Sequence, residues 1–414
     1  MPDQQIFFDP ERKRWKRLRR ILDAVAVLST LVLVGFTFNV IRSQKLPELL
    51  LPNPKHNYRA LPEPSILERT GKNLHPARRK TERKPSDIPL NTGEGLRAAY
   101  YVQDDPASYS SLKEHIHQLD MLFPMWLHVD SPDGTLMAMS GDNLSEYPVI
   151  QGGFAHDPDY LDKVKHVIQA AKEDTEVFPA INNFNPHTQE WDAGVGDVLN
   201  DSGKSAALLQ QILHFLASYP AYRGISLDFE SLPDADEPAY LQFIQSLYAQ
   251  MHPRNLRLYV NVAVATSDQD LKAIAANSDG IILMNYDEHQ TTSNPGPIAS
   301  QPWFIGNLVR VLKIVPKDKI ICAIGNYGYD WTLSIPNPKD RRHPKPQVLD
   351  TEDLSVTDTW ERASDADADL DLDYDTLNPH FEYIDEDNNQ RHVVWFLDAV
   401  TVLNELRAAR ELGL

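Results

Sequence analysis

From Gly93 onward, short apolar runs of strand length alternate with stretches that have the apolar periodicity of helices. The strand-like runs are residues 97–103, 121–129, 176–182, 224–230, 257–265, 280–287 and 319–327. The helix-like stretches are residues 112–119, 159–172, 205–219, 237–251, 268–277 and 303–315. Repeated strand–helix units of this kind build a parallel sheet that is covered by helices. The alternation therefore predicts an α/β fold with seven parallel strands.

Two architectures fit this pattern, a doubly wound open sheet and a (β/α)8 barrel. Polar residues late in strand after strand favour the barrel, because strand ends converge there on one mouth. These residues are Trp126, His128, Asn182, Asn183, Asp228, Glu230, Tyr286, Asp287, Asn326 and Tyr327. No glycine-rich dinucleotide fingerprint follows the first strand. We therefore expect a (β/α)8 TIM-type barrel within residues 93–414.

The strand–helix pattern stops after Trp331. Residues 332–391 are polar and acidic, and apolar runs on both sides of the turn-prone segment 385–390 predict a hairpin. Because structureless loops of this length are uncommon in compact domains, we expect a small α+β insertion after strand seven that forms one wall of the cleft. Residues 399–412 then predict a helix, and no pattern of an eighth strand follows. We therefore expect either the front of a longer polypeptide or a truncated barrel that lacks its eighth strand.

The first 92 residues differ in charge from the rest of the chain. They carry 18 Lys and Arg against 9 Asp and Glu; since the whole chain has a net charge of −19, residues 93–414 carry −28. Residues 21–41 are interrupted by a single charge, at Asp23, and are long enough to cross a bilayer core of about 30 Å as a helix. A cleaved signal peptide is the alternative, but the stretch is longer than a usual signal-peptide core and no A-x-A site follows.

Seven basic residues lie between Arg12 and Arg20, so the positive-inside rule places the N-terminus in the cytoplasm. We predict a cytoplasmic flank over 1–20, a transmembrane helix over 21–41, a Pro-rich basic linker over 42–92 and a periplasmic or extracellular domain over 93–414. The basic run 78–84 is also compatible with a nucleic-acid or lipid patch, but a solvated spacer is favoured. We expect a single-pass membrane protein with no nucleic-acid partner.

The strand-like run 224–230 carries the sharpest candidate site. Alternate side chains of a strand share a face, so Ser226, Asp228 and Glu230 point the same way. Two carboxylates about 7 Å apart on one inward face are costly to ionise together. One of them should keep its proton near neutral pH, as a general acid must. The alternative is a solvated pair of carboxylates at a strand end.

Residues 224–230 resemble the catalytic strand-four signature of glycoside hydrolase family 18, the chitinase-like barrels, usually D-G-x-D-x-D-x-E. Arg223 and Ser226 stand where that family usually has aspartates. Residues 284–287 are similar to the family's M-x-Y-D, and residues 325–331 and 393–398 are similar to later family segments. The similarity is greatest to the bacterial branch associated with cell walls or exopolysaccharides, whose members are often fused to polysaccharide deacetylase and glycosyltransferase modules.

The resemblance implies hydrolysis of β-linked N-acetylglucosamine polymers with retention, with the acetamido oxygen of the substrate as nucleophile. Glu230 would protonate the leaving oxygen and activate water, Asp228 would bind the acetamido nitrogen, and Tyr286 would position the acetamido group. In the family, the aspartate at the position of Ser226 pairs with the one at Asp228 and helps to cycle its charge, so we expect altered pH dependence or slower turnover. The expected substrate-binding residues are Asp287, Met284, Asn326 and the sugar-stacking Trp126 and Trp331.

No cofactor or metal is expected. Residues 203–205 resemble the end of a phosphate-binding loop, but such a loop needs a glycine at position 198, where Val198 stands. The acidic run 365–375 lacks the glycine and the glutamate that a calcium-binding loop needs. The single cysteine, Cys322, excludes a cysteine zinc cluster. The acidic domain favours neutral or cationic glycans over anionic polymers. The alternative function, indicated by Arg223 and Ser226, is a non-hydrolytic glycan-binding or guiding module in a polysaccharide synthesis or export assembly.

Overall fold

The computed structural model describes residues 95–102, 106–140, 145–149, 158–171, 175–335 and 346–414, together with 58–60 and six helical residues among the first thirty. The chain divides into two compact units, Met1–His56 and Asn57–Leu414. The predicted flank 1–20, transmembrane segment 21–41 and linker 42–92 lie outside the described residues, apart from those few positions. Among the residues described, no helix is both long and apolar enough to span a bilayer.

The strands before residue 324 are β1 Tyr58–Ala60, β2 Ala98–Val102, β3 Met121–Met125, β4 Leu127–Asp130, β5 Thr135–Ser140, β6 Ser145–Pro148, β7 Glu176–Val177, β8 Ala180–Asn182, β9 Phe184–Asn185, β10 Glu190–Trp191, β11 Gly224–Asp228, β12 Arg257–Ala263, β13 Gly280–Met284 and β14 Ile320–Ala323. The helices of the same region are α1 Pro106–His115, α2 Pro158–Ala171, α3 Val195–Asn200, α4 Ser202–Ser218, α5 Glu237–Met251, α6 Asp268–Ala276 and α7 Gln301–Val311. The strand–helix alternation predicted from the sequence is confirmed.

The parallel sheet follows the order of the chain. The second strand position is divided into β3 and β4, and the third into β7 and β8, so the successive positions are β2, β3/β4, β7/β8, β11, β12, β13 and β14. A doubly wound sheet reverses its strand order, which this one does not. Within the described residues, β2 and β14 are edge strands with one parallel neighbour each. The seven predicted parallel positions are therefore present.

Two apolar layers lie on opposite faces of the sheet. The larger packs the sheet against the helices, and includes Ile225 and Leu227 of β11. The smaller contains Phe123, Phe178 and Tyr259, with the Phe178 and Tyr259 rings 5.0 Å apart. Residues of both edge strands, β2 and β14, pack against this smaller cluster. The sheet therefore curves around one inner cluster, and the inner side chains of β11 lie on its concave face.

Capping side chains define where several helices begin. The Asp201 carboxylate accepts hydrogen bonds from the backbone N–H groups of Gly203 and Lys204, at 2.8 and 3.0 Å, ahead of α4. Ser267 accepts one from Asp270 ahead of α6. Because the first N–H groups of a helix have no partner within it, these caps fix the residues at which α4 and α6 begin.

An antiparallel subdomain follows β14. Its elements are β15 Tyr327–Leu333, β16 Val348–Ser355, α8 Val356–Asp365, β17 Asp371–Leu372, β18 Pro379–Asp385 and β19 Gln390–Phe396, and α9 Ala399–Glu411 comes after it. The sheet order is β1-β18-β19-β15-β16, with β17 on β18. The predicted hairpin is confirmed as β18 and β19. The subdomain begins and ends about five residues beyond the expected 332–391, because β15 and β19 continue as paired strands across those limits.

A buried carboxylate holds this subdomain together. Asp330 on β15 is 1% exposed and accepts hydrogen bonds from Nδ1 of His392 at 2.9 Å, the hydroxyl of Tyr383 at 2.5 Å and Arg362 at 2.7 Å. Burial alone would raise its pKa, but the hydrogen bonds from these three partners lower it. Hydrogen bonds to this one carboxylate on β15 thus connect residues of α8, β18 and β19.

Gly224 begins β11 with φ +149°, and a Cβ atom built there would lie 1.7 Å from the carbonyl oxygen of Arg257. We expect Gly224→Ala to lower the free energy of unfolding by at least about 2 kcal/mol, through backbone strain and displacement of β12. Gly306→Ala is the control, because Gly306 lies within α7 with open space at its Cβ position; it should stabilise the protein by about 0.5–1 kcal/mol. Denaturant unfolding of both variants measures the difference, and equal stability of the two would contradict this account of Gly224.

Candidate active site

The inner side chains of β11 and the residue pair after it form the centre of the site. Ser226 is 0% exposed and Asp228 is 4% exposed, while Glu230, two residues further on, is half-buried. They alternate with Ile225, Leu227 and Phe229, which belong to the core between sheet and helices. The predicted shared face is therefore the concave face of the sheet.

The two carboxyl groups have raised pKa values. Burial raises the pKa of Asp228 to about 7, against the opposing effect of a hydrogen bond from Asn261. Burial, followed by the negative charges of Asp228 and Asp287, raises the pKa of Glu230 to about 8. Because the two carboxyl groups interact, the uptake and release of their protons belongs to the pair and not to either residue alone. The pair therefore holds a proton to higher pH than free Asp and Glu do, and Glu230 is the more accessible of the two groups.

Asn183, directly after β8, holds the backbone of Glu230. Its Oδ1 accepts a hydrogen bond from the Glu230 N–H at 2.8 Å, and its Nδ2 donates to the Glu230 carbonyl at 2.8 Å. A side-chain amide that pairs with both backbone groups of one residue acts like a neighbouring strand. It extends the pairing beyond the end of β11 at Asp228 and fixes the direction in which Glu230 leaves the sheet.

Tyr286 and Asp287 follow β13 and face the same carboxyl groups. Asp287 has φ +67°, a left-handed conformation that turns the chain, and its Oδ1 accepts hydrogen bonds from the hydroxyls of Tyr327 and Tyr329, the latter at 2.9 Å. Burial, then the charges of Asp228, Glu230 and Asp287, raises the pKa of Tyr286. Tyr286 therefore stays a neutral hydroxyl donor beside the acidic pair. The insertion contributes to the site through β15, which carries both tyrosines that bind Asp287.

The sequence did not single out Asn261, and it offered Tyr100 only as one of several aromatic residues near strand ends that could stack on sugars. Both lie on the concave face: the Tyr100 hydroxyl on β2 and the Ser226 hydroxyl on β11 donate to Oδ1 of Asn261 on β12, at 2.8 and 2.9 Å. Asn261 lies within a largely apolar strand-like run, 257–265. An amide in such a run needs a hydrogen-bond partner once it is buried, and this was the sequence signal that could have pointed to its role. Asn261 and its two partners lie on three different strands, and therefore no local motif contains them.

The predicted sugar-stacking role of Trp126 and Trp331 is wrong. Trp126 is 0% exposed in the core between sheet and helices, next to Tyr101 and Tyr222, because it shares its face of the chain with Leu122, which also packs against the helices, and not with Phe123 of the inner cluster. Trp331 is 0% exposed too, and packs under Tyr329 with its ring 5.5 Å away. Neither ring face is open to a ligand, so both tryptophans are core residues.

Two further predicted binding residues have more open positions. Met284 ends β13 and is half-buried, and Asn326 is exposed in the loop between β14 and β15. Their roles in substrate binding stay predictions. In the described part of the chain, no group of three or more His, Cys, Asp or Glu side chains is arranged to hold a metal ion.

A carboxyl group with a raised pKa, beside a second buried carboxyl group and a neutral tyrosine, is an arrangement suited to glycoside hydrolysis. The sequence model of the family "Glycosyl hydrolases family 18" matches residues 97–408. The chain therefore belongs to glycosyl hydrolase family 18, and it is a glycosidase.

Individual relatives agree with this assignment. The chain is 23% identical over 320 residues to the uncharacterized glycosylase YvbX of Bacillus subtilis (strain 168), an alignment that covers 75% of this chain and 83% of the relative. It resembles the spore cortex-lytic enzyme SleL of Bacillus cereus with a TM-score of 0.60 and 21% identity, over 77% of this chain and 68% of SleL. It resembles a chitinase from Chromobacterium violaceum ATCC 12472 with a TM-score of 0.59 and 22% identity, over 74% and 87%. At these identities the structural likeness shows the shared fold.

The raised pKa values predict that the acidic pair destabilises the folded chain at high pH. Because both folded-state pKa values lie above those of unfolded Asp and Glu, the stability that the pair contributes is present at low pH and is lost as pH rises through about 7 to 8. We expect Glu230→Gln to raise the thermal midpoint by about 2–4 °C or more at pH 8, and by less at pH 5. Calorimetry of wild type and variant at both pH values measures this; an equal shift at the two would contradict it.

Proposed function

We propose that the protein cleaves β-linked polysaccharides that contain N-acetylglucosamine, by a retaining mechanism in which the substrate's acetamido group is the nucleophile. The observation that carries the proposal is the pairing of Glu230, with its pKa raised to about 8, and the buried Asp228 on one face of β11. The names of two structural neighbours, a spore cortex-lytic enzyme and a chitinase, support a polysaccharide substrate.

In this mechanism Glu230 donates its proton to the glycosidic oxygen as the bond from that oxygen to the anomeric carbon breaks. The acetamido oxygen of the same sugar attacks the anomeric carbon and forms a cyclic oxazolinium intermediate. The Glu230 carboxylate then takes a proton from water, which attacks the anomeric carbon from the face that the leaving group vacated. Retention follows from the two inversions, and Glu230 ends protonated again.

Asp228 and Tyr286 would orient the acetamido group. Oδ1 of Asp228 is buried and has no protein hydrogen-bond partner, so it can accept one from the acetamido N–H. The Tyr286 hydroxyl, kept neutral by its raised pKa, can donate to the acetamido oxygen. Asp287 is already bound by Tyr327 and Tyr329, and in this proposal it keeps the loop after β13 in place.

The charge of the site bears on which glycans enter it. Negative charge acts on Glu230 from both Asp228 and Asp287, and none of the causes of its raised pKa is a Lys or Arg. An anionic polymer would meet repulsion at this face, whereas a neutral or partly deacetylated, cationic chain would not. This supports acetylated or partly deacetylated N-acetylglucosamine polymers as substrates.

We expect Glu230→Gln to lower the rate of cleavage of an N-acetylglucosamine oligomer by roughly 10²–10⁴-fold, because the general acid is lost while the shape of the side chain is kept. The control is Glu361→Gln on the exposed side of α8, which should retain full activity. Fully deacetylated oligomers should resist the wild-type enzyme, because they lack the nucleophile. Equal rates for wild type and Glu230→Gln would contradict the assignment of Glu230 as the general acid. Binding of the oligomer by wild type without cleavage would support a non-hydrolytic glycan-binding module.

We also propose that residues 21–41 anchor the protein in a membrane, with residues 93–414 on the extracytoplasmic side, and that deacetylase and glycosyltransferase modules act on the same polymer. The support for the anchor is the sequence of the first 92 residues, with a nearly uncharged stretch after seven basic residues. The proposal of the two modules rests on the resemblance of residues 224–230 and 284–287 to the wall- and exopolysaccharide-associated branch of the family. We expect the full chain to sediment with membranes and resist alkaline extraction, and a variant without 21–41 to become extractable. Protease should reach the catalytic domain from outside the cytoplasmic membrane, in cells whose outer envelope has been removed. Recovery of the full chain in the soluble fraction would contradict the anchor.

A further inference from the structure

Asn261 lies beside Asp228 in the sheet. The parallel register of β11 and β12 pairs Gly224 with Arg257 and runs to Leu227 with Val260. One residue further, the same register brings Asp228 next to Asn261. Paired residues of adjacent strands present their side chains on the same face, and Asn261 is 8% exposed on the concave side. The amide and the carboxyl are therefore neighbours on the floor of the site.

Two hydroxyl groups determine which end of the amide faces Asp228. Tyr100 and Ser226 both donate to Oδ1 of Asn261, at 2.8 and 2.9 Å. With its oxygen held by two donors, the amide directs its NH2 group elsewhere, and the neighbouring carboxyl is an acceptor for it. A carbonyl oxygen turned toward a carboxylate would instead be repelled. The hydroxyl pair therefore aims a hydrogen-bond donor at Asp228.

The other ionisable groups that act on or are affected by Asp228 are acidic. Tyr100 on β2, Tyr240 on α5, Tyr286 after β13 and Glu230 after β11 each have pKa values raised in part by the charge of Asp228. None of these groups can carry a positive charge. The Asn261 amide is accordingly the neighbour that favours the ionised form of Asp228, against the burial that disfavours it.

We propose that Asn261, held by Tyr100 and Ser226, is a positioning residue that takes over the role of the second aspartate of the D-G-x-D-x-D-x-E pattern, by hydrogen-bonding Asp228 in its ionised form. The inference rests on the proposed function, because it concerns how Asp228 is kept ready to bind the acetamido N–H. It also explains how Ser226 can stand where the family usually has an aspartate: the serine supports an uncharged donor in place of a second acid. An amide has no proton to exchange near neutral pH, so Asp228 titrates with Glu230 alone.

The test is the pH dependence of both activity and stability of the full chain. Asn261→Ala should shift the acid limb of the kcat profile on an N-acetylglucosamine oligomer upward by about one pH unit, because the ionised Asp228 loses a hydrogen bond, with KM changed less than kcat. Ser226→Ala and Tyr100→Phe should shift it the same way by less. Ser226→Asp added to Asn261→Ala should recover part of the neutral-pH rate, because it restores a second carboxyl. An unshifted acid limb in Asn261→Ala, or no recovery by Ser226→Asp, overturns the proposal.

Stability gives a readout that does not need catalysis. Loss of the hydrogen bond raises the folded-state pKa of Asp228 further, so the thermal midpoint of Asn261→Ala should fall more steeply than that of wild type between pH 6 and pH 8. Adding Asp228→Asn should abolish the extra slope. The burial-matched control is Asn378→Ala, whose amide binds the backbone of Ala299, away from the carboxyl pair; it should lower the midpoint equally at all pH values.

These readouts separate the two proposals. If wild type cleaves no oligomer but Asn261→Ala steepens the pH slope, the hydrolytic function is wrong and the coupling of Asn261 to Asp228 stands. If wild type cleaves oligomers but the slopes of Asn261→Ala and wild type are equal, the coupling is wrong. Should Asn261→Ala fail to fold, Ser226→Ala and Tyr100→Phe each remove one hydroxyl and carry the same two measurements; unchanged profiles in both overturn the proposal.

Discussion

The burial of two carboxyl groups on the concave face of the sheet is the constraint on which the site depends. A buried Asp or Glu without a cation favours its protonated form, and this is what raises the pKa of Asp228 to about 7 and of Glu230 to about 8. The same burial makes Tyr286 a neutral donor. Low polarity of the surroundings thus keeps both a carboxyl proton and the Tyr286 hydroxyl proton in place. It also makes the folded chain less stable where the site is ionised.

Asp330 shows that burial alone does not set the outcome. It is as deeply buried as Asp228, yet its pKa is lowered, because Arg362, His392 and Tyr383 donate hydrogen bonds to it. Asp330 therefore serves as an ionised anchor of the insertion. Asp228, with an amide in place of a cation, remains close to its titration point. The difference between a structural and a chemical carboxylate in this chain lies in the donors that surround each of them.

The insertion and the parallel sheet are joined at the site. Tyr327 and Tyr329 of β15 both donate to Asp287, which follows β13. Since β15 is also the strand that carries Asp330, the packing of the insertion reaches the loop that holds Tyr286 through two short connections. The insertion therefore also supports the loop that carries Tyr286 and Asp287.

Much of the fold and the centre of the site could be predicted from the sequence. Period-two alternation put Ser226, Asp228 and Glu230 on one face, and strand length and helix periodicity located the parallel strands, because these patterns are local. The family motif around Asp228, with the M-x-Y-D at Met284–Asp287, supplied the chemistry. Trp126 was misjudged because residues 121–129 are almost all apolar, so the sequence does not show which alternate residues face inward; in the fold Trp126 shares the helix-facing side with Leu122.

Only the tertiary structure determines the contacts between strands that lie far apart in the chain. Tyr100, Ser226 and Asn261 meet because β2, β11 and β12 curve around one inner cluster, and Asn183 reaches Glu230 because β8 and β11 are paired in one register. Local sequence determines which way a side chain points along its own strand. The neighbour that it meets depends on register and curvature, which arise only when the whole sheet is assembled. The acid pair could therefore be predicted from the sequence, whereas the groups that tune its protons required the fold.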